Sequence, residues 1–248
     1  MQANTASQPV MTQIASPQNP KMKALRRLHT KRGRATSGRF LAEGEDLVRA
    51  AELAGRPAVE GYRLVDSDLG GNDFLDVERS ALGDVSTLGS GTRVIGVYEQ
   101  RWSSAVGPLC VYLHGVGDPG NVGTVLRSAQ AFGASCVALG PRCADPHSPK
   151  AVRASMGAIF SVSLARVGEI TQLPGERVAL VAGRGEALES LHGEQITLLV
   201  GAEREGLPEQ LIEQCQRVCH IPILSESLNA AMAATVALYE LSRPGPGG

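Results

Sequence analysis

The stretch NVGTVLR, residues 121–127, is the first of three short blocks that decide the fold of this 248-residue chain. The second is GAEREGL, residues 201–207, and the third is Ile221-Pro222-Ile223 followed shortly by Ser227-Leu228-Asn229. Each block lies where an apolar, strand-like run meets a helix-like run. In open α/β sheets such junctions lie at the carboxyl ends of strands, where ligands bind.

Strand-like and helix-like runs alternate from residue 109 onward. Strands are predicted at 109–114, 136–139, 159–164, 178–182, 196–200 and 217–221, and helices at 121–132, 149–156, 208–214 and 227–242. Such alternation is typical of a mostly parallel sheet covered by helices on both faces. The pattern therefore predicts an α/β fold for residues 109–243.

The part of the chain before residue 109 reads as a smaller α/β module. A strand is predicted at 39–44, a helix at 45–54, and strands at 62–65 and 93–98. Residues 1–20 are polar and the tail 244–248 is PGPGG, so both are predicted to be disordered. The predicted domains are a tail at 1–20, a first domain at 21–98, a linker at 99–108 and a second domain at 109–243.

Charge is distributed unevenly along the chain. Residues 21–40 hold eight basic side chains and no acid, whereas every acidic residue lies at Glu43 or later. A concentrated basic arm on a mildly acidic body is typical of a surface that binds RNA phosphate. The alternative is a solvated, disordered tail. The candidate RNA-binding residues are Arg26, Arg27, Lys31, Arg32, Arg34 and Arg39.

Two further basic residues, Lys150 and Arg153, lie three positions apart on one face of a predicted helix. They are candidates for holding the RNA backbone, or they belong to a solvated helix start.

Other features of the sequence exclude several classes of protein. No apolar run reaches the ~18 residues that span a membrane. The five cysteines are odd in number and follow no secretory signal, which fits a reducing cytoplasm. Cys215, Cys219 and His220 lack a second Cys/His pair at zinc-like spacing, so no metal site is predicted. A phosphate-binding glycine fingerprint is absent as well.

Together the three blocks resemble the signature motifs of the SpoU family of RNA ribose methyltransferases, which belong to the knotted SPOUT class. The resemblance covers residues 109–242, and the first domain resembles the small ribosomal-protein-like substrate-binding domain that precedes many SpoU domains. It implies a trefoil knot that forms a pocket for S-adenosylmethionine, and a homodimer packed through the last helix. Ala230, Ala231, Ala233 and Ala234 permit close packing there, so Ala234→Arg is expected to give monomers with poor cofactor binding, or an insoluble product.

The resemblance also implies roles for individual residues. Arg127 would act on the ribose 2′-hydroxyl of the target nucleotide, although a surface arginine that snorkels from a core helix is the alternative. A permanently protonated arginine is a poor general base, so we expect it to orient the hydroxyl and stabilise a developing alkoxide. The remaining catalytic candidates are Asn121, Glu203, Ser227 and Asn229. The cofactor-binding candidates are Leu199, Gly201, Ala202, Ile221, Ile223, Leu228 and Asn229.

Two points at the third block stay open in the sequence. Ser227 could instead cap the helix that follows it. The segment between Ile223 and Ser227 is shorter than in many family members and lacks their glycine.

The function implied is methylation of a ribose 2′-hydroxyl in 23S rRNA by S-adenosylmethionine, without a metal. The nearest alternative is the same reaction on tRNA. An alternative of another class is a non-catalytic RNA-binding factor in ribosome assembly, which would bind RNA without binding the cofactor.

Overall fold

The computed structural model describes residues 13–71, 73–88, 91–191, 193–225 and 227–243. Contacts divide the chain into two compact units. The first comprises the residues up to Glu52 together with 57–99, and the second comprises 53–56 together with the residues from Gln100 onward. No helix in the described ranges is long and apolar enough to cross a membrane.

The first unit is a four-stranded sheet with helices packed against it. In chain order its elements are α1 (Pro20–Arg27), α2 (Lys31–Ser37), β1 (Arg39–Glu43), α3 (Glu45–Leu53), β2 (Glu60–Leu64), β3 (Leu75–Val77), α4 (Arg79–Val85) and β4 (Val94–Glu99). The strand order is β1-β4-β2-β3, with only β2 and β3 parallel. Its main core joins Met22 of α1, Leu82 of α4 and Ile95 of β4.

The basic arm of the sequence folds into α1 and α2. Asn19 accepts a hydrogen bond from the N–H of Lys21 at 2.9 Å and so begins α1. The predicted disorder of residues 1–20 is wrong for residues 13–20, because Ile14 is buried and bridges to Val77. Residues 1–12 and 244–248, also predicted to be disordered, lie outside the described residues.

The second unit is a seven-stranded sheet flanked by helices. Its elements are β5 (Leu109–Leu113), α5 (Pro119–Ala131), β6 (Cys136–Leu139), α6 (Pro149–Ala154), β7 (Ser163–Arg166), β8 (Glu176–Leu180), β9 (Glu186–Ala187), β10 (Ile196–Val200), α7 (Glu209–Ile212), β11 (Arg217–His220) and α8 (Ala230–Ser242). The strand order is β7-β6-β5-β10-β8-β11-β9, and all neighbouring strands are parallel. The predicted parallel α/β architecture is confirmed.

The prediction for the second unit differs from the structure at one predicted strand and at one strand that was not predicted. The strand expected at 159–164 is a 3-10 turn, Ala158–Phe160, followed by β7. Gly157, with φ of +94°, ends the preceding helical segment, and the N–H groups that follow bond locally. The short strand β9 was missed because two residues give no periodicity to recognise.

Of the segment predicted as a linker, residues 99–108, Glu99 ends β4 and residues 100–108 belong to the second unit. The N–H of Ser103 donates to the carbonyl of Leu164 at 2.8 Å, and Ser103 bridges to Ala165 of the edge strand β7. The guanidinium of Arg166 lies 4.0 Å from the ring centre of Trp102. The segment therefore covers an edge that would otherwise present unpaired backbone groups.

Candidate functional site

A cavity of about 290 Å³ lies at the carboxyl ends of β8, β10 and β11. Three segments of backbone surround it, and the first turn of α8 closes one side. The lining residues are Leu180, Val181, Ala182, Val200, Gly201, Ala202, Glu203, Arg204, Glu205, Gly206, Leu207, Ile221, Ile223, Ser227, Leu228, Ala230 and Ala233. The second and third blocks thus meet at the sheet edge where the sequence placed a ligand.

The second block forms a tight loop after β10. The N–H of Gly206 donates to the carbonyl of Ala202 at 3.0 Å, and Gly206 adopts φ of +66°. A Cβ atom at Gly201 would lie 2.2 Å from the carbonyl carbon of Gly206. Gly201 is therefore needed for the loop's own closure, in addition to lining the cavity, and the loop presents Glu203 at the rim.

The third block ends in a capped helix. The Oδ1 atom of Asn229 accepts hydrogen bonds from the N–H groups of Ala231 at 2.9 Å and Met232 at 3.3 Å. The helix predicted to begin at Ser227 therefore begins at Ala230, and Asn229 rather than Ser227 is its cap. Ser227 is exposed and lines the cavity instead.

One hydrogen-bonded network joins all three blocks. The Nδ2 atom of Asn229 donates to Oδ1 of Asn121 at 3.4 Å, and Nδ2 of Asn121 donates to Oε1 of Glu203. These bonds connect positions that are 108 and 82 residues apart in the chain. Three of the five predicted catalytic side chains are thus in contact, and a fourth, Ser227, lines the same cavity.

Arg127 stands apart from this network. It lies six residues beyond Asn121 on α5, which is about 9 Å along the helix and roughly 240° around it. Its side chain is exposed and has no hydrogen bond or ion pair with the residues that the structure describes. Within one chain, Arg127 is therefore not brought to the cavity.

The predicted cofactor contacts are placed unevenly. Gly201, Ala202, Ile221, Ile223 and Leu228 line the cavity. Leu199 and Asn229 do not line it. Leu199 is fully buried in β10, and the Oδ1 atom of Asn229 caps α8.

Sequence reasoning missed one wall of the cavity. Leu180 ends β8, the neighbour of β10 in the sheet, and Val181 and Ala182 follow it. The strand order was needed to predict this wall. The sequence pattern predicts the strand β8 but does not indicate which strand lies beside it.

The first block is positioned by close packing of α5 on α6. A Cβ atom at Gly123 would lie 2.3 Å from the carbonyl oxygen of Ala151. Asp118 caps α5 by accepting from the N–H groups of Gly120 at 2.6 Å and Asn121 at 3.2 Å. Lys150, from α6, donates to Asp118 at 2.7 Å and lowers the pKa of that carboxyl group.

These contacts change the interpretation of Lys150. The sequence predicted that Lys150 contacts RNA. In the structure its ammonium group pairs with the carboxylate of Asp118, which caps α5, and so helps to hold the start of the first block. Arg153 is exposed, as an RNA contact requires.

We expect Gly123→Ala to lower the free energy of unfolding of the second unit by about 1–3 kcal/mol, because the added methyl group meets backbone that cannot yield cheaply. The control is Gly83→Ala in α4, where an added Cβ would meet no atom within 4 Å. That change should raise stability by about 0.5–1 kcal/mol through helix propensity alone. Denaturant unfolding, followed in each unit, measures the change in the free energy of unfolding for both variants. Changes of the same sign in the two variants would contradict the packing argument.

The structure separates the predicted RNA-binding residues of the basic arm into two groups. Arg34 is buried and donates to the carbonyl oxygens of Leu28 at 2.8 Å and His29 at 2.9 Å, so the prediction that it contacts RNA is wrong. Arg26 pairs with Asp84, and Arg39 pairs with Glu60 at 3.1 Å. The exposed members, without an ion pair to the described residues, are Arg27, Lys31 and Arg32.

The described residues hold no group of three or more His, Cys, Asp or Glu side chains that could bind a metal ion. The five cysteines are free thiols.

The parallel sheet, the cavity at its strand ends and the basic helices of the first unit define a two-unit α/β protein with a small-molecule site. Residues 108–239 match the model of the SpoU rRNA Methylase family, and residues 19–60 match that of the MRM3-like substrate binding domain. The chain belongs to the SpoU rRNA Methylase family. The predicted resemblance is confirmed, and the trefoil knot stays a prediction.

Relatives cover nearly the whole chain. It is 31% identical over 251 residues to the 23S rRNA (guanosine(2553)-2'-O)-methyltransferase RlmP of Bacillus subtilis (strain 168), covering 93% of this chain and 99% of that protein. The AdoMet-bound rRNA methyltransferase from Sinorhizobium meliloti has a TM-score of 0.82 and 29% identity, covering 92% and 96%. AviRb, a SpoU methyltransferase from Streptomyces viridochromogenes in complex with AdoMet, supports the fold alone, with a TM-score of 0.81, 24% identity and coverage of 91% and 97%.

Proposed function

We propose that this chain is an S-adenosylmethionine-dependent methyltransferase that modifies a ribose 2′-hydroxyl in 23S rRNA. The observation that carries the proposal is the network of Asn229, Asn121 and Glu203 at the rim of the cavity. Membership of the SpoU family and similarity to RlmP over nearly the whole chain support the same conclusion. An enzyme that acts on ribosomal RNA works where ribosomes are assembled, so the proposal includes a cytoplasmic location.

The cavity fits the cofactor in its chemistry. Its wall combines apolar side chains, such as Leu180, Ile221 and Leu228, with backbone at Gly201 and other strand ends. S-adenosylmethionine has a flat purine ring whose faces pack on apolar side chains, polar ribose and amino-acid groups, and no phosphate. It therefore needs an apolar slot lined with backbone donors and acceptors, and no basic phosphate loop.

Within this proposal each side chain has a task. The bound cofactor supplies a methyl group activated by the sulfonium. Glu203 and Ser227, at the cavity rim, shape the entrance for the nucleotide. Asn121 and Asn229 fix the orientation of Glu203 through the network. Arg127 orients the 2′-hydroxyl and stabilises negative charge that develops on its oxygen, which requires that an approaching RNA or a second copy of the chain bring it to the site.

We also propose that the protein works as a homodimer built on α8. Met232, Val236 and Tyr239 follow one another at helical spacing and are 58%, 40% and 51% exposed. Apolar side chains repeated on one exposed face are typical of an interface. Ala234, by contrast, is fully buried inside the chain. The expected monomer from Ala234→Arg is therefore a poor test, since the change would disrupt the core first.

Val236→Arg is the better test of the dimer. A two-fold interface brings the new charge opposite its own copy, so we expect the variant to be monomeric and to lose most methyl transfer. Ser242→Arg, at the exposed end of the same helix, is the matched control and should leave assembly unchanged. Light scattering and sedimentation measure the result. A dimeric Val236→Arg protein with full activity would contradict an interface on α8.

Two measurements on the full chain test the proposed function itself. Calorimetry with S-adenosylmethionine should show binding, whereas a non-catalytic assembly factor predicts none. Mapping of 2′-O-methyl groups in rRNA from cells with and without the protein should then reveal one lost site in 23S rRNA. Complete 23S methylation in the deletion strain, with a methyl group missing from tRNA instead, would replace rRNA by tRNA as the substrate.

A further inference from the structure

A second cavity, of about 580 Å³, lies in the first unit among α1, α2, β1 and β2. Small-molecule sites in proteins have volumes of about 300–1,000 Å³. Its walls are of two kinds. Leu25 and Leu28 supply buried apolar surface, and Arg27, Arg32 and Arg39 supply positive charge. A cavity with one apolar and one cationic wall suits a ligand that has a flat apolar part and an anionic part.

The charges of the lining arginines are not equally engaged. Arg39 is paired with Glu60. Arg27 and Arg32 are exposed, and their guanidinium groups form no ion pair or hydrogen bond with the described part of the chain. Arg27 belongs to α1 and Arg32 to α2, so each of the two helices contributes an arginine to the lining of the cavity. Their charge is left for a ligand, and a planar guanidinium matches the oxygens of a phosphate.

The polar end of the cavity is held in a fixed arrangement. The hydroxyl of Tyr62, a buried side chain, donates to Oε2 of Glu60 at 2.6 Å, and Lys21 contacts the same oxygen at 3.4 Å. Burial works against the charge of Glu60, but the Tyr62 hydroxyl and the neighbouring Lys21 and Arg39 keep the pKa of Glu60 below its usual value. A carboxylate has about four acceptor positions, so these partners leave capacity for an N–H group of a base.

We propose that this cavity captures a single unpaired nucleotide of the RNA substrate. Arg27 and Arg32 hold its phosphate, the apolar surface of Leu25 and Leu28 covers its base, and Glu60 accepts a hydrogen bond from the base edge. A nucleotide in a duplex is stacked and paired and cannot enter, whereas a looped-out nucleotide can. The inference rests on the proposed function in one respect, since it takes the polyanion to be RNA.

Matched pairs of charge removals test the proposal in the full-length protein. Arg27→Ala/Arg32→Ala removes two lining charges, and Lys23→Ala/Lys31→Ala removes two exposed charges from the same helices outside the cavity. The probes are a short single-stranded oligoribonucleotide and a fully paired RNA hairpin stem. We expect the lining pair to weaken binding of the single strand roughly tenfold, which is about the cost of losing one hydrogen bond to a charged group. The control pair should weaken both probes equally and less.

A variant that fills the cavity distinguishes the effect of its space from the effect of its charge. Ala24 is exposed and lines the cavity, so Ala24→Trp fills the space without altering any charge. We expect it to weaken single-strand binding while the slope of log affinity against log salt stays unchanged. The lining pair, in contrast, should reduce that slope by about 0.7, which is the contribution of one phosphate contact to a single strand.

Three outcomes would overturn the inference. In the first, the two charge-removal pairs lose the same amount of affinity for the single strand. In the second, Ala24→Trp binds the single strand as tightly as the unsubstituted protein does. In the third, free nucleoside 5′-monophosphates bind saturably and RNA does not compete with them. Calorimetry with S-adenosylmethionine on the same variants keeps the two proposals apart. Normal cofactor binding with any of these three outcomes removes only the nucleotide pocket. Failure of the unsubstituted protein to bind cofactor removes the proposed enzyme.

Discussion

Arg127→Ala should lower kcat for methyl transfer about 10²–10³-fold, the usual cost of removing one group that stabilises an oxyanion. Cofactor affinity should stay nearly unchanged, because Arg127 is not among the described residues that line the cavity. The side chain is exposed and unpartnered in the described chain, so stability should not fall either. Single-turnover methyl transfer and calorimetry give the two values.

Arg153→Ala is the matched control for this change. It removes the same charge from an exposed position on α6, next to α5. If Arg153 contacts the RNA backbone, Arg153→Ala should raise KM for RNA and leave kcat close to normal, whereas Arg127→Ala should lower kcat. Near-normal turnover by Arg127→Ala would remove the arginine from the mechanism. An effect of the same kind in both variants would reduce its role to general attraction of RNA.

Asn121→Asp should lower kcat/KM about tenfold to a hundredfold, because an isosteric carboxylate would replace the amide that donates to Glu203 and repel it. Two carboxylates in contact raise the pKa of one of them. Protonation relieves the repulsion, so the deficit relative to the unsubstituted enzyme should shrink as pH falls. Activity ratios measured across a pH series provide the check, and a ratio independent of pH would contradict the contact.

Glu203→Gln completes a double-mutant cycle with Asn121→Asp. In the double variant a Gln amide faces the new carboxylate, so a hydrogen bond between the two positions returns. We expect cofactor affinity and thermal stability to recover toward the unsubstituted values even if catalysis does not. Additive losses would mean that Asn121 and Glu203 do not act through each other.

The sequence was sufficient where periodicity or local chemistry decides the structure. The strands β5, β6 and β10 and the helix α5 were predicted nearly to the residue, because buried parallel strands and a capped apolar helix have clear local patterns. The helix start at Ala230 was missed because Ser227 and Asn229 are both good caps, and the choice depends on the distant Asn121. Local pattern cannot express that dependence.

The same limit applies to charge. In the sequence Arg34 and Arg32 are equivalent members of a basic run, but the first is buried against backbone carbonyl groups and the second is exposed. Which side of a short helix faces the core is fixed by its neighbours, and a run of eight cations in residues 21–40 hides that information. Composition therefore leads to the expectation that the first unit binds RNA, while packing determines which of its basic side chains are accessible.

The hydrogen bonds from α8 to Glu203 all point one way. Because Oδ1 of Asn229 accepts from two N–H groups at the helix start, its amide can only donate onward to Asn121, and Asn121 can only donate to Glu203. Bonds in such a head-to-tail chain polarise one another. The chain of bonds therefore links Glu203 to the start of α8, where Ala230 and Ala233 line the cavity. By reciprocity, any strengthening of RNA binding by the cofactor must be matched by an equal strengthening of cofactor binding by RNA.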